Sequence, residues 1–393
     1  MNITVLKKAA IAGIDAAYPA LAELSHTLHA HPEVAFEERR SAALLCDFLS
    51  ENGFKVEKGI CKLPTAFRAV YGGGSPVVAF LAEYDALPKL GHACGHNLIA
   101  ATSLAAAVAF KPAVDALGGS VAVFGTPGEE LYGGKSIMAE AGAFDGVDVA
   151  MISHPGGGNR VLMNTLACET LKVEFRGVAA HAAGAPELGV NALEALIQSF
   201  NAINSLRQHI RSSERISGVI TDGGEAANIV PAHTAATFIV RAESDVCLDA
   251  LKKRVIDCFA GAARVTGAKL KYSWGERYAA MVSNVALAKL FHDNMRSLGH
   301  DIDLGDNSLL YFSTDVGNVS RLVPTIQPLV SVAPGGVSIH TPEFAAVAAK
   351  EDALRSMLDA AKAMAMTAID LLSSPGKLEE VRKEFRSSSL RDA

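Results

Sequence analysis

One stretch constrains the chain more than any other: PVVAFLAEYDALPKLGHACGHN, residues 76–97. Val77–Leu81 is a continuous apolar run, the pattern of a strand buried on both faces. Glu83 and Asp85 follow where that strand ends. His92, Cys94 and His96 come next, ahead of the Ala-rich apolar segment Leu98–Phe110. In open α/β sheets, ligands bind outside the carboxyl ends of strands. Carboxylates, imidazoles and a thiol gathered at such an end have the composition of a metal site.

Two more apolar runs end the same way. Val121–Gly125 leads into Thr126-Pro127-Gly128-Glu129-Glu130, and Val147–Ser153 leads into His154-Pro155. Helical segments, Leu98–Phe110 and Lys135–Ala143, lie between them. The alternation predicts an α/β fold with a mostly parallel sheet and helices on both faces. Upstream, residues 1–50 read as two helices, the second at Leu21–His29 and stopped by Pro32. Ala9–Leu24 reads as an amphipathic surface helix, since Asp15 and Pro19 interrupt it as a signal sequence. A helix is expected from Glu37 to Glu51, then short strands at Phe54–Glu57 and Ala66–Tyr71, with a Gly72–Gly74 turn.

The pattern changes near Cys168. An alternating strand, Thr170–Phe175, precedes a helix at Val190–Ile210, strands at Ile216–Thr221 and Ala235–Arg241, a helix at Val246–Val265 and a strand at Leu270–Trp274. The order β-α-β-β-α-β is that of a ferredoxin-like unit. The expected organisation is a catalytic domain in two parts, residues 1–167 and 281–393, with an inserted α+β lid or dimerisation domain at 168–280. The charged, Ser-rich tail Lys377–Ala393 reads as a solvated helix that frays.

Composition excludes some partners. A net charge of −6 without any basic run argues against nucleic acid and against an anionic membrane surface. Leu98–Phe110 is too short and too rich in Ala to span a bilayer. The six cysteines have no framework spacing, which fits a reducing cytoplasm. Only Cys94 sits among other ligand types. His26, His29 and His31 read as a helix end, and His209, His233, His292 and His300 as structural or solvated.

Thiolate, imidazole and carboxylate groups are the ligand types of zinc and similar divalent ions. Metal-assisted hydrolysis needs one carboxylate to hold metal and another to take a proton from water. Adjacent glutamates at a strand end, Glu129 and Glu130, can serve those two purposes.

In order and spacing, LAEYDALP, HACGHN, GTPGEE, SHPG, the AAHA of Ala179–Ala182, NIVP and His340 resemble the zinc aminoacylase and carboxypeptidase family of peptidase clan MH. The likeness runs over roughly residues 20–370 and is nearest to the amidohydrolase branch, which includes aminobenzoyl-glutamate hydrolase and related dipeptidases. The resemblance implies two divalent ions bridged by Cys94, with His96, Glu130, His154 and His340 completing the ligands. Zinc is favoured, with manganese or cobalt as alternatives. Glu129 would be general base and acid, and Asp85 would orient a ligand. His181 would polarise the scissile carbonyl, often in a partner subunit's site. Asn228 and Arg241 match a pair on neighbouring strands that binds the substrate carboxylate. Ser313–Gly317 resembles a substrate-side loop. At Glu83 the sequence departs from the carboxypeptidase branch, which has a ligating His there, so no ligand role carries over.

The function expected is hydrolysis of the amide bond of an N-acyl or N-aroyl amino acid, or of a dipeptide, with a free carboxylate. The enzyme would be a homodimer paired through the inserted domain. Two alternatives stand beside it: a metal-dependent hydrolytic deaminase of a small amine, and a non-catalytic binding protein that has kept the fold.

Overall fold

The computed structural model describes residues 2–306, 308–333 and 335–389. They divide into two compact units. One comprises residues 165–280 with 311–313, and the other comprises the rest.

The larger unit is built on a six-stranded sheet. Its strands are β1 (Lys55–Lys58), β2 (Phe67–Gly73), β3 (Val77–Ala82), β4 (Gly119–Gly125), β5 (Val149–Met151) and the short strand Thr325–Ile326, in the order β1-β2-β4-β3-β5-Thr325–Ile326. From β4 onward the strands run parallel. β1 and β2 form an antiparallel edge, so the sheet is mixed. Val78–Ala82 and the whole of β4 are buried, which is why their sequences are unbroken apolar runs rather than alternating ones.

The helices depart from the sequence reading in three places. α1 (Ile3–Ala30) is one continuous helix through Pro19, not two. Pro19 is exposed, so water can take the carbonyl that its missing N–H leaves unpaired. The helix also buries Leu6, Ala10, Ile14, Leu21, Leu24 and Leu28, a core-facing stripe at helical spacing. After α2 (Arg39–Glu51), α3 (His96–Leu117) runs well past the expected Phe110. Length and composition would let it cross a membrane, but 83% of its most apolar window is buried within the protein. It is the central core helix, packed between α1 and the helix Glu351–Ser373.

The third difference is the C-terminal helix Pro375–Ser389. Leu378 and Val381 are buried. Glu384 accepts hydrogen bonds from the backbone N–H groups of Val285 (2.6 Å) and Ala286 (2.8 Å). These are the first residues of the helix Val285–Ser297. This helix therefore caps a neighbouring one through Glu384, and residues 390–393 of the expected tail lie outside the described residues.

A short helix, α4 (Gly134–Glu140), follows the turn after β4. The smaller unit holds β6 (Ala167–Arg176), α5 (Ala192–Leu206), β7 (Arg215–Asp222), β8 (His233–Ala242), α6 (Asp245–Thr266) and β9 (Lys269–Trp274). Its sheet order is β9-β6-β8-β7 with every pair antiparallel. Burial alternates along β6 and β8. Their inward residues, Leu171, Val173, Phe175, Phe238 and Val240, form a core with Leu196, Leu251, Val255 and Phe259 of the helices.

Candidate metal centre

Because β4, β3 and β5 lie side by side and parallel, their carboxyl ends meet. Glu83 and Asp85 leave β3, Glu129 and Glu130 leave β4, and His154 follows β5. Gly95 precedes α3 with φ +77°, and a Cβ there would lie 2.6 Å from Pro155 Cγ. Glycine thus lets the Cys94–His96 turn press on the His154 loop, and Cys94 Sγ sits 3.5 Å from His154 Nε2. Gly128, with φ +73°, plays the same part in the glutamate turn, where a Cβ would meet the Phe36 ring at 2.8 Å. His340 arrives from far along the chain. Its backbone is left-handed (φ +65°), and its N–H donates to Ala93 O at 2.8 Å. Its Nε2 lies 3.4 Å from Glu130 Oε2. A non-glycine residue held at positive φ marks a site where the surroundings override local preference.

Three overlapping donor sets result, each with its atoms within 4.8 Å of one another: Cys94–His96–His154, Cys94–Glu130–His340 and His96–Glu129–Glu130. The first two share Cys94. His96 Nδ1 is 2.9 Å from Asp85 O and 3.0 Å from Asp85 Oδ1, so that nitrogen carries the proton and Nε2 presents a lone pair. His154 Nδ1 is likewise tied to Pro155 O at 2.8 Å. His96 Nε2 and Glu130 Oε1 are buried without a hydrogen-bond partner. Buried polar atoms rarely go unmatched, and a cation among these donors would satisfy both. One sulfur, three imidazole nitrogens and a carboxylate suit a zinc-type ion. The residues present therefore fit a metal.

Burial, then the charges of Glu130, Glu83 and Asp315, hold the Glu129 carboxyl well above its ordinary range. Burial works to raise Glu130 too, but its hydrogen bond to His340 and the charges of His96 and His340 prevail and lower it. Asp85 is lowered, since His96 outweighs its burial. Burial and Glu130 push the Cys94 thiol far up. A cation is the partner that would draw this thiol into its thiolate form.

Beneath the cluster lies an ion triad absent from the sequence reading. Lys135 Nζ is 2.7 Å from Glu83 Oε1 and 2.7 Å from Asp315 Oδ1, and none of the three side chains reaches solvent. Lys135 N donates to Asp315 Oδ2 at 2.9 Å. Asp315 belongs to the Ser313–Gly317 segment singled out in the sequence. Thr314, Asp315 and Gly317 are buried, and Asp315 braces α4. Glu38 is also buried, accepts from Thr65 Oγ1 at 3.0 Å, and has a pKa raised to about 7 by burial and by Asp85.

Three expected site residues belong to the smaller unit. His181 Nδ1 accepts from the N–H groups of Ala183 (3.2 Å) and Gly184 (3.0 Å), which leaves Nε2 as the ring's N–H donor. His181 bridges to Ile229, and Ala182 N donates to Asn228 O at 3.0 Å, so His181 and Asn228 share one end of the unit. Asn228 lies in the loop before β8, whereas Arg241 is near that strand's far end. The expectation that the pair occupies neighbouring strands is thus corrected. From His233 to Arg241 the strand spans about 25 Å at ~3.3 Å per residue, so one chain does not bring Arg241 to Asn228.

Known proteins share this chain throughout its length. The Xaa-Arg dipeptidase of Mus musculus is 37% identical over 98% of this chain and 93% of its own. Residues 169–266 match the peptidase dimerisation domain of M20 proteins. The chain belongs to the M20 peptidase family. This M20 protein is also 30% identical to a p-aminobenzoyl-glutamate hydrolase polypeptide of Escherichia coli, over 91% of this chain and 90% of that one. A dinuclear metal-binding M20 peptidase from Bacillus subtilis shares the fold, with TM-score 0.69 and 20% identity over 91% of this chain and 99% of that one. With dipeptidases and amidohydrolases as its relatives, the M20 protein is a hydrolase.

Proposed function

We propose that this hydrolase cleaves the amide bond of an N-acyl or N-aroyl amino acid, or of a dipeptide, that carries a free carboxylate. The observation that carries the proposal is the pair of donor sets sharing Cys94 beside Glu129. Cys94, His96 and His154 would hold one divalent ion, and Cys94, Glu130 and His340 a second. Zinc suits these donors best, ahead of manganese or cobalt. When bound, the ions supply Lewis acidity at the scissile carbonyl and the attacking water.

The protein's own groups do the remaining work. Asp85 fixes the His96 ring. Glu129, whose proton affinity burial has raised, takes the proton of the attacking water and delivers it to the departing amine nitrogen. His181, with Nε2 as its donor, steadies the negative charge growing on the carbonyl oxygen. Arg241, together with Asn228, receives the substrate carboxylate through its planar fork of donors. Arg241 lies at the opposite end of its unit from His181 and Asn228, which supports two protomers contributing to each site, and hence a homodimer. The relatives' names indicate two substrate groups to test first: dipeptides ending in Arg and aroyl-glutamates. A cytoplasmic setting accords with six free cysteines.

Glu129→Gln tests the reading. With metal loaded, kcat on a panel of these amides should fall by roughly a thousandfold or more, the scale of a lost acid–base group, while metal content stays unchanged. Mass spectrometry of the wild-type products should show two carbon-containing fragments. Unaltered turnover by the variant, or release of ammonia alone, would remove the proposal.

A further inference from the structure

Arg241 does not stand alone on its sheet. In the register of β8 with β7 it lies directly opposite Arg215. The next pair along the two strands, Val240 and Ile216, is buried, so both arginines project from the other, outer face. Residues opposed in this way have Cα atoms about 4.5–5.5 Å apart, and like charges so placed repel. Among the described residues, neither arginine forms an ion pair. Arg241 Nη1 donates to Ser313 Oγ at 3.5 Å. Arg215 Nη1 donates to the backbone carbonyls of Ser212 and Glu214, the latter at 2.7 Å, and its Cζ lies 4.9 Å from the centre of the Tyr311 ring. The nearby acidic side chains are engaged elsewhere. Glu243 pairs with Arg211 and accepts from Ser213 Oγ, and Glu214 accepts from the Arg211 N–H at 2.9 Å. All these residues belong to the smaller unit.

Carbonyls and a ring thus hold Arg215 by one nitrogen, which leaves Nε and Nη2 to a ligand. We propose that Arg215 is a specificity-determining residue: it binds a second carboxylate of the substrate, beside the one received by Arg241, so that the amino acid released is acidic, aspartate or glutamate. The inference rests on the reading above that places the substrate carboxylate on Arg241. A guanidinium is a planar fork that meets a carboxylate through two parallel N–H donors. Two such forks on one face suit two carboxylates joined by a short aliphatic chain, and a dianion between them relieves their repulsion. A basic leaving group would instead bring a third cation to the pair. Of the two substrate groups named above, the arginine pair selects aroyl-glutamates over dipeptides ending in Arg.

The test uses one aroyl group carried on glutamate, glutamine or arginine. Metal-loaded wild type should favour the glutamate amide over the glutamine amide by at least tenfold in kcat/KM, the scale of one hydrogen bond to a charged group. The difference should lie mainly in KM, and the arginine amide should be the poorest. In Arg215→Gln the glutamate-to-glutamine ratio should fall to about one. Arg215→Lys keeps the charge and loses the fork, so its ratio should fall between. Arg215 is exposed, so both variants should fold. Calorimetry of the same amides on Glu129→Gln, with and without Arg215→Gln, reads the same ratios as Kd values without turnover. A wild type indifferent between glutamate and glutamine would overturn the inference. So would a preference for the arginine amide, or an Arg215→Gln chain that keeps the wild-type ratio. Arg241→Gln separates this from the reading beneath it. If that variant loses both the glutamate and glutamine amides while Arg215→Gln alters no ratio, Arg241 keeps its carboxylate and only the role of Arg215 falls. If Arg241→Gln binds both as wild type does, the carboxylate reading fails and takes the inference with it.

Discussion

At His96 the ring has one nitrogen fixed by Asp85 and one left to its lone pair, so the aspartate's value is in orientation. Asp85→Asn should weaken metal binding by about 10- to 100-fold, the usual cost of losing such a partner, and a chelator competition assay would measure it. Glu38 gives a prediction in pH. Its carboxyl rises from an ordinary 4.5 to about 7 on folding, so the folded chain holds that proton more tightly. Relative to low pH, stability is lost as pH rises from about 4.5 through 7, to a limit of roughly 3 kcal/mol. Glu38→Gln should therefore raise the melting temperature clearly at pH 8 and little at pH 5; an equal gain at both would contradict the assignment. Most of the cluster was legible from the sequence, because Glu83, Asp85, Glu129, Glu130 and His154 each follow an apolar run that could only be a buried strand. Lys135 and Asp315 were not legible. A lysine in GKSIMAE carries no local sign that it will be fully buried, since its partners lie 52 and 180 residues away along the chain.

Among the elements, those with strong internal periodicity or unbroken apolar runs were readable, and those whose limits are set by neighbours were not. β3 and β4 declare themselves by composition, and β6 and β8 by alternation. α3 outruns its apolar segment because packing against α1 and Glu351–Ser373 continues past Phe110. The helix Pro375–Ser389 looked solvated because its many charges hide two inward positions, Leu378 and Val381, and a capping residue, Glu384. Glu384→Ala should leave two N–H groups at the start of Val285–Ser297 without their acceptor. A loss of about 1 kcal/mol in urea unfolding is expected, the scale of a helix cap. No change would mean that water replaces the carboxylate at no cost.

For the molecule as a whole, the separation of Arg241 from His181 and Asn228 along one strand turns the dimerisation match into a statement about chemistry: each site would draw on two chains. Sedimentation should show a species of twice 41.1 kDa. Mixing inactive Glu129→Gln with inactive His181→Ala chains, under conditions that exchange subunits, should restore about a quarter of wild-type activity, since half the dimers would carry one intact site of two. No recovery after proven exchange would place His181 in its own chain's site. The claim on which the rest depends is that Cys94 stands between two cations. Anomalous diffraction from crystals loaded with Zn2+ or Mn2+ tests it most directly. Two peaks are expected flanking Cys94 Sγ, one beside His96 and His154 and the other beside Glu130 and His340. A map with no peak at Cys94, or with metal bound only elsewhere, would contradict it.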